Sequence, residues 1–425
     1  MEIAIDQMIV GRRTASDIHD EQGVLLLSAG SQVSERFLDL MRQRKLRTLE
    51  LAPEDAFSLT RKPSTGESIH LDREVVRKLH EAIDRGPLVA KNHGPEVKDT
   101  IVLHGCQAYD QKVRDQLQET HNESANTLAS MMKDVIAGGR LSGNAMTTIT
   151  AEYLTAMTKD MDAVMAVAAE AGRDLHLSRH CVKMSVLAMA MAVEMGYDAG
   201  NVTTTGICGL VHDWGMVRVP AEIRQAKRKL TEFEMFEIKK HPVYTLDILD
   251  HIEGLPGIIP RVCYQVHEQP NGGGYPRSQK RDRIHDFALI LAVASAYAAL
   301  TSARPHRRAL MPYAAMETLL HMVRNGELDR EPVTALLNIQ SLFPIGSYLK
   351  LSDGTIAQSI RRNGSRYEAP FVRRVQFDAN SISNPETEEN SPIFDPLEQG
   401  LKITAALGSP GNNEVPRTPD LSLFW

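Results

Sequence analysis

His212-Asp213 sets an imidazole beside a carboxylate, a pair that can hold a cation and move a proton. Alone the dipeptide is uninformative, because His-Asp recurs at 19–20 and 285–286. Its surroundings set it apart. It closes the apolar helical stretch Cys208-Gly209-Leu210-Val211, and Trp214-Gly215 follows. Upstream, His180 opens a second apolar helix; downstream come His241 within the next helix and His267-Glu268 on another. Each helix thus offers one imidazole or carboxylate, as a metal site at the centre of a bundle requires. Such a centre suits phosphoryl chemistry. The negative charge of a phosphodiester repels an oxygen nucleophile, and one or two cations, roughly 3.5–4 Å apart when paired, both acidify a bound water and neutralise the phosphoryl oxygens. The bland alternative is that each histidine is a surface or hydrogen-bonded core residue.

Two further stretches could complete a pocket. Asn271-Gly272-Gly273-Gly274-Tyr275-Pro276 follows His267-Glu268 closely, and its glycines allow positive φ and close backbone approach. A Gly-rich loop alone is usually a turn; after a candidate ligand it becomes a wall of the same pocket. The run Thr301-Ser302-Ala303-Arg304-Pro305-His306-Arg307-Arg308 concentrates cations after an apolar helix, and guanidinium groups suit bidentate phosphate binding. Its bland reading is a solvated basic helix terminus.

Over about residues 176–343 these features resemble the HD-GYP family of bacterial signalling proteins, a branch of the HD phosphohydrolases. His180-Cys181-Val182-Lys183 is similar to the family's H-S-x-R, and Leu210-Val211-His212-Asp213-Trp214-Gly215 to its L-L-H-D-I-G. Leu230-Thr231-x-x-Glu234 and His241-Pro242 match L-T-x-x-E and H-P. His267-Glu268 through Gly274-Tyr275-Pro276 resembles H-H-E-x-x-D-G-x-G-Y-P, and Ala299-Leu300-Thr301-Ser302 with Arg304-Pro305-His306-Arg307 resembles A-L-T-S-x-R-P-Y-R. The resemblance implies an all-α domain that hydrolyses cyclic di-GMP at a divalent metal centre of iron or manganese. It implies His180, His212, Asp213, His241 and His267 as metal ligands, with Asp213 and His212 catalytic. Arg304, Arg307, Gly274 and Tyr275 would meet the nucleotide.

Four positions depart from the family pattern. Val266 stands where the first of its paired histidines would be, Ser295 where a ligand aspartate would be, Met216 in place of a lysine, and His176 in place of a glutamate. A hydroxyl replaces a carboxylate poorly around a hard dication, so at least one metal position is expected to be weakened. Three readings follow. The chain is a metal-dependent phosphodiesterase with reduced activity; or a non-hydrolytic regulator that binds cyclic di-GMP or a partner such as a GGDEF-type cyclase; or a scaffold whose histidines are structural.

The elements that must position these residues can be read from periodicity. Residues 1–52 read as a small α+β domain: a strand at Val24–Leu27 after a turn, a helix carrying Phe37, Leu40 and Met41, and a second strand at Leu46–Leu51. Residues 53–69 read as a linker. Residues 70–172 read as two long helices, the first reaching 137 with a thin apolar stripe from Val97 through Met131, the second spanning 143–171; they pack on each other or form a homodimer. Residues 173–343 read as the HD-GYP-like domain, where the stretches Leu187–Val193 and Phe287–Leu300 are apolar nearly all round. Thr231-x-x-Glu234 is a capping box. Residues 344–378 read as a β extension and 379–425 as a disordered tail. The fold class is therefore mainly α: a helical bundle between a small α+β domain and a short β extension.

Composition sets outer limits. Across 425 residues, 48 basic side chains face 54 acidic ones for a net charge of −6, which argues against a nucleic-acid coat. With 42% hydrophobic and 24% charged residues the chain suits a soluble globular protein. Four scattered cysteines, no basic and apolar leader in the first residues, and no apolar run near 18 residues point to a cytoplasmic protein without a membrane span.

Overall fold

A computed structural model describes residues 2–5, 8–20, 23–44, 46, 48–51, 88–170, 176–228, 230–303, 308–364, 366–375, 391–409 and 414–416, and single positions 55, 59, 77, 80, 81, 84 and 85. In chain order the described elements begin with β1 (Glu2–Ala4), β2 (Ile18–His19), β3 (Leu25–Leu27), α1 (Glu35–Gln43) and β4 (Thr48–Glu50). Then come α2 (Gln111–Ile136), β5 (Leu141–Ser142), α3 (Asn144–Glu170), α4 (Leu177–Glu194), α5 (Ala199–Val211), α6 (Ala221–Arg224), α7 (Glu232–Ile238) and α8 (His241–Leu249). They continue with β6 (Ile252–Glu253), α9 (Ile259–Gln265), α10 (Asp286–Leu300), α11 (Pro312–Arg324) and α12 (Arg330–Gln340). Last come β7 (Tyr348–Leu351), β8 (Ile356–Arg361), β9 (Phe371–Arg374), β10 (Ile393–Phe394) and β11 (Ile403–Leu407). The protein is mainly α, with small sheets near both ends.

Two compact units divide the chain. One combines residues 1–71 with 217–240. Here β1 pairs antiparallel with β4 and β2 with β3, and α1 lays Phe37, Leu38 and Met41 onto a core with Ile5, Met8 and Ile18. In the same unit the capping box forms. Thr231 Oγ1 accepts the Glu234 amide proton at 3.2 Å, and the Glu234 carboxylate accepts the Thr231 amide at 2.8 Å. The inclusion of 217–240 differs from the contiguous domains expected from sequence. The expected linker at 53–69 lies outside the described residues apart from 55 and 59.

The other unit spans 72–216 and 241–425. Its centre is α4, buried from Cys181 through Val193 because nearly every residue there is apolar; α2, α3, α5, α10 and α12 pack around it. α10 is likewise buried along most of its length. The apolar stripes of α2 and α3 are buried within the unit. The first long helix is shorter than the periodicity suggests: it starts at Gln111, where the Asp110 side chain accepts the amides of Lys112 and Val113. Gly94, Pro95 and Gly105, the last with φ of 54°, keep the preceding segment irregular apart from a 3-10 turn at Val97–Thr100. α3 breaks at Asp160 (φ −154°, ψ 88°), and the fully buried Arg361 of β8 grips both Asp160 carboxylate oxygens at 2.8 Å.

The β extension is a five-stranded sheet of order β10-β9-β8-β7-β11. Two of its strands come from the segment expected to be a disordered tail. Ile393 pairs opposite Arg373, and Leu407 opposite Tyr348. These strands are too short to show an alternating pattern; partners on β9 and β7 supply the order that their own sequence lacks.

Lys183 stands out within α4. It is 6% exposed, and its ammonium has only the Thr301 hydroxyl at 3.4 Å, with no carboxylate in ion-pair reach among the described residues. Burial pulls its pKa down to about 8. The folded chain therefore releases this proton about two and a half units below the unfolded chain. The penalty is full below pH 8 and fades as pH rises towards 10.5. Lys183→Met is expected to stabilise the protein by roughly 3 kcal/mol at pH 7 in urea unfolding, with the gain shrinking above pH 8. A loss of stability at pH 7 would contradict this.

Candidate metal centre

Four helix ends deliver the side chains. His180 lies in the first turn of α4, His212 caps the C-terminus of α5 with Asp213 next, His241 is the first residue of α8, and His267 lies just beyond α9. His241 lies within a helix as the sequence suggested, at its first residue, whereas His267 lies past a helix end rather than on a helix. The placement has a reason. At helix ends the backbones themselves can approach closely, as they do where Gly215 meets the His241 carbonyl.

Asp213 is the common point. Its Oδ1 lies 3.1 Å from His241 Nε2, 3.4 Å from His212 Nε2 and 3.5 Å from His267 Nε2, while Oδ2 lies 3.6 Å from His180 Nε2. Two overlapping groups result, His180–His212–Asp213 and Asp213–His241–His267, each with its donor atoms within 4.8 Å of one another. The two His-Asp decoys behave differently. His19 lies on the exposed side of β2, and His285 caps α10 by accepting the Phe287 amide.

Electrostatics favour an ionised carboxylate. Burial alone would raise the Asp213 pKa, but His212, His241 and His267 hold it well below the ordinary range. Burial lowers His267 to about 4, reinforced by His241 and opposed by Asp213, so it is a neutral donor at neutral pH. For His212, burial is outweighed by Asp213 and the pKa is raised. His212 Nδ1 meets the Gly209 carbonyl at 2.9 Å; a carbonyl only accepts, so Nδ1 carries a proton and Nε2 is the atom left facing the centre.

Would a cation fit? His212 Nε2 and Asp213 Oδ1 are buried without a hydrogen-bond partner, although three imidazole nitrogens lie within 3.1–3.5 Å of the carboxylate oxygen. Buried polar atoms rarely stay unsatisfied. The Nε2 atoms of His241 and His267 are 2.9 Å apart. Two imidazoles bonded at right angles to one ion at about 2.1 Å would sit about 3.0 Å apart, so the spacing suits a shared cation. Imidazoles converging on one carboxylate form a reasonable donor set for a divalent ion.

The Gly-rich loop closes one side. The Tyr275 ring stacks on His267, centroids 4.9 Å apart at 7°. Gly274 is required by space: a Cβ there would meet Gln269 N at 2.3 Å and the His267 carbonyl at 2.5 Å. Glu268, 2% exposed, holds the loop, its two oxygens accepting the amides of Arg277 and Gln279 at 2.7 Å each. The sequence marked Glu268 only as part of a motif. A carboxylate followed by a Gly-rich turn is the signal that suggests such a clamp. Arg304 and Arg307 lie outside the described residues. Of the departures, Val266 is core-buried, Ser295 and Met216 are half-buried, and His176 is an exposed helix cap. Each half of the centre nevertheless keeps three donors.

With this geometry in view, the comparisons with known proteins are decisive. Residues 169–331 match the HD domain family. The chain carries an HD domain. Cyclic di-GMP phosphodiesterase PA4108 of Pseudomonas aeruginosa is 26% identical over 255 residues, 60% of this chain and 61% of that protein. The cyclic di-GMP phosphodiesterase response regulator RpfG of Xanthomonas campestris pv. campestris is 31% identical over 166 residues, 39% of this chain and 44% of that one. The 3'3'-cGAMP-specific phosphodiesterase 1 of Vibrio cholerae serotype O1 is 31% identical over 153 residues, 36% and 35% of the two chains. The chain therefore spans about three fifths of the first relative's length and less than half of the other two. All the converging residues of the centre fall within the HD domain. Among the described residues no helix is long and apolar enough to cross a membrane.

The loop clamp is testable. Glu268→Gln replaces an acceptor oxygen with an NH2 group facing a buried backbone amide. It is expected to cost about 1–3 kcal/mol in urea unfolding and to speed hydrogen exchange at the Arg277 or Gln279 amide. Unchanged exchange at both amides would show that the loop is held by other contacts.

Proposed function

We propose that this HD domain is a metal-dependent phosphodiesterase acting on cyclic di-GMP, within a cytoplasmic bacterial signalling protein. The observation that carries this reading is the meeting of His180, His212, His241 and His267 on the single carboxylate of Asp213. In this reading His180, His212 and Asp213 hold one cation, and Asp213, His241 and His267 hold a second. Mixed imidazole and carboxylate donors suit iron or manganese. When bound, such cations neutralise phosphoryl charge and acidify a coordinated water.

The chain's own residues do the rest. Asp213 spans the two positions and supplies their one carboxylate. His212, held by the Gly209 carbonyl, keeps a fixed tautomer through the reaction. Tyr275, stacked on His267, orients that ring and borders the site together with Gly274. Arg304 and Arg307 are assigned to the phosphates or guanine edges of the dinucleotide. A GGDEF-type cyclase is the partner class that makes this substrate. A homodimer through the 70–171 helices belongs to the same reading, although the buried faces of α2 and α3 are already used within the unit.

Ser295 and Val266 are expected to lower turnover without abolishing it, because each half of the centre keeps three donors. The test is hydrolysis of cyclic di-GMP by the purified chain with added Mn2+ or Fe2+, followed by chromatography. Asp213→Ala is expected to reduce turnover by more than about 100-fold. Equal and negligible turnover in both proteins, with nucleotide binding intact, would instead support a non-hydrolytic regulator.

A further inference from the structure

The two halves of the centre are carried by different elements: His212 and Asp213 end α5, while His241 begins α8. What fixes their separation is a junction between the turn after Asp213 and the first turn of α8. Thr245 lies one helical turn after His241 and is fully buried. Its hydroxyl donates to the His212 carbonyl at 2.9 Å and accepts the Gly215 amide proton at 2.9 Å. Both bonds of one hydroxyl are thereby spent on the turn that displays Asp213. Gly215 is pressed against the same place. A Cβ there would lie 2.0 Å from the His241 carbonyl and 2.6 Å from the Thr245 amide. The turn after Asp213 and the first turn of α8 thus meet backbone to backbone, with the Thr245 hydroxyl as the polar link across them.

We propose that Thr245 is a positioning residue that sets the distance between Asp213 and His241, and so the integrity of the second cation position, Asp213–His241–His267. This rests on the two-cation reading above but names a residue and a role that reading does not contain. Without the hydroxyl, a buried amide and a buried carbonyl lose their partner, and the junction relieves this by opening. The His180–His212–Asp213 position takes its side chains from α4 and the end of α5, and Thr245 touches it only through the His212 backbone carbonyl.

The experiment uses the full chain, stripped of metal and titrated with Mn2+, with bound metal counted by mass spectrometry and the spin coupling of paired ions read by electron paramagnetic resonance. Wild type is expected to take two Mn2+ with a coupled signal. Thr245→Val, and Thr245→Ala as a second variant if valine perturbs folding, is expected to weaken the second equivalent by about 10–100-fold while leaving the first within about twofold. Thr245→Ser, which keeps the hydroxyl, is expected to retain both. Equal binding of the second ion by the valine or alanine variant overturns the proposal, as does its loss in the serine variant. If wild type binds no Mn2+ at all, the two-cation reading falls, and the proposal with it.

Discussion

A carboxylate taken out of water is costly unless something of opposite charge or strong hydrogen-bonding capacity surrounds it, and Asp213 is such a carboxylate. Four imidazoles close on it from four helix ends, yet its Oδ1 finds no aligned donor. His267, kept neutral by burial, adds no charge to balance it. A cation here would satisfy the two buried atoms of the centre that lack a partner, His212 Nε2 and Asp213 Oδ1. The rest of the domain follows from this need. α4 is buried all round so that its N-terminus can be anchored at the centre, and short helices such as α9 stop where a ligand is delivered.

The chemistry of this site was legible from residue types because its donors are rare side chains in apolar surroundings. His212-Asp213 could be separated from His19-Asp20 and His285-Asp286 by the helix that precedes it, and the structure shows the other two serving as a strand residue and a helix cap. What could not be read was position within an element. Periodicity locates a helix but blurs its ends, and here the ends carry the site. The long helix expected from residue 70 failed for a related reason: a thin apolar stripe through Val97 and Cys106 continues across glycine and proline, but the backbone does not. The strands β10 and β11 were illegible because each needs a partner distant in sequence.

Substituted positions show how local chemistry and fold separate. Val266 is absorbed into the apolar core beside His267, where an aliphatic side chain packs at no cost to its neighbours. Ser295 remains half-buried on α10 in an otherwise apolar helix. Lys183 shows the opposite case, a cation kept in the interior of α4 with, among the described residues, the Thr301 hydroxyl as its hydrogen-bond partner. The scaffold therefore accommodates loss of a donor and retention of a charge, while the four histidines around Asp213 still converge on it.

The most direct test of that geometry is anomalous diffraction from crystals of the protein grown with Mn2+. Density above the manganese edge is expected on both sides of Asp213, within bonding distance of His212 Nε2 and of the paired His241 and His267 nitrogens. Crystals in which these side chains keep their positions but show no anomalous density between them would contradict the account.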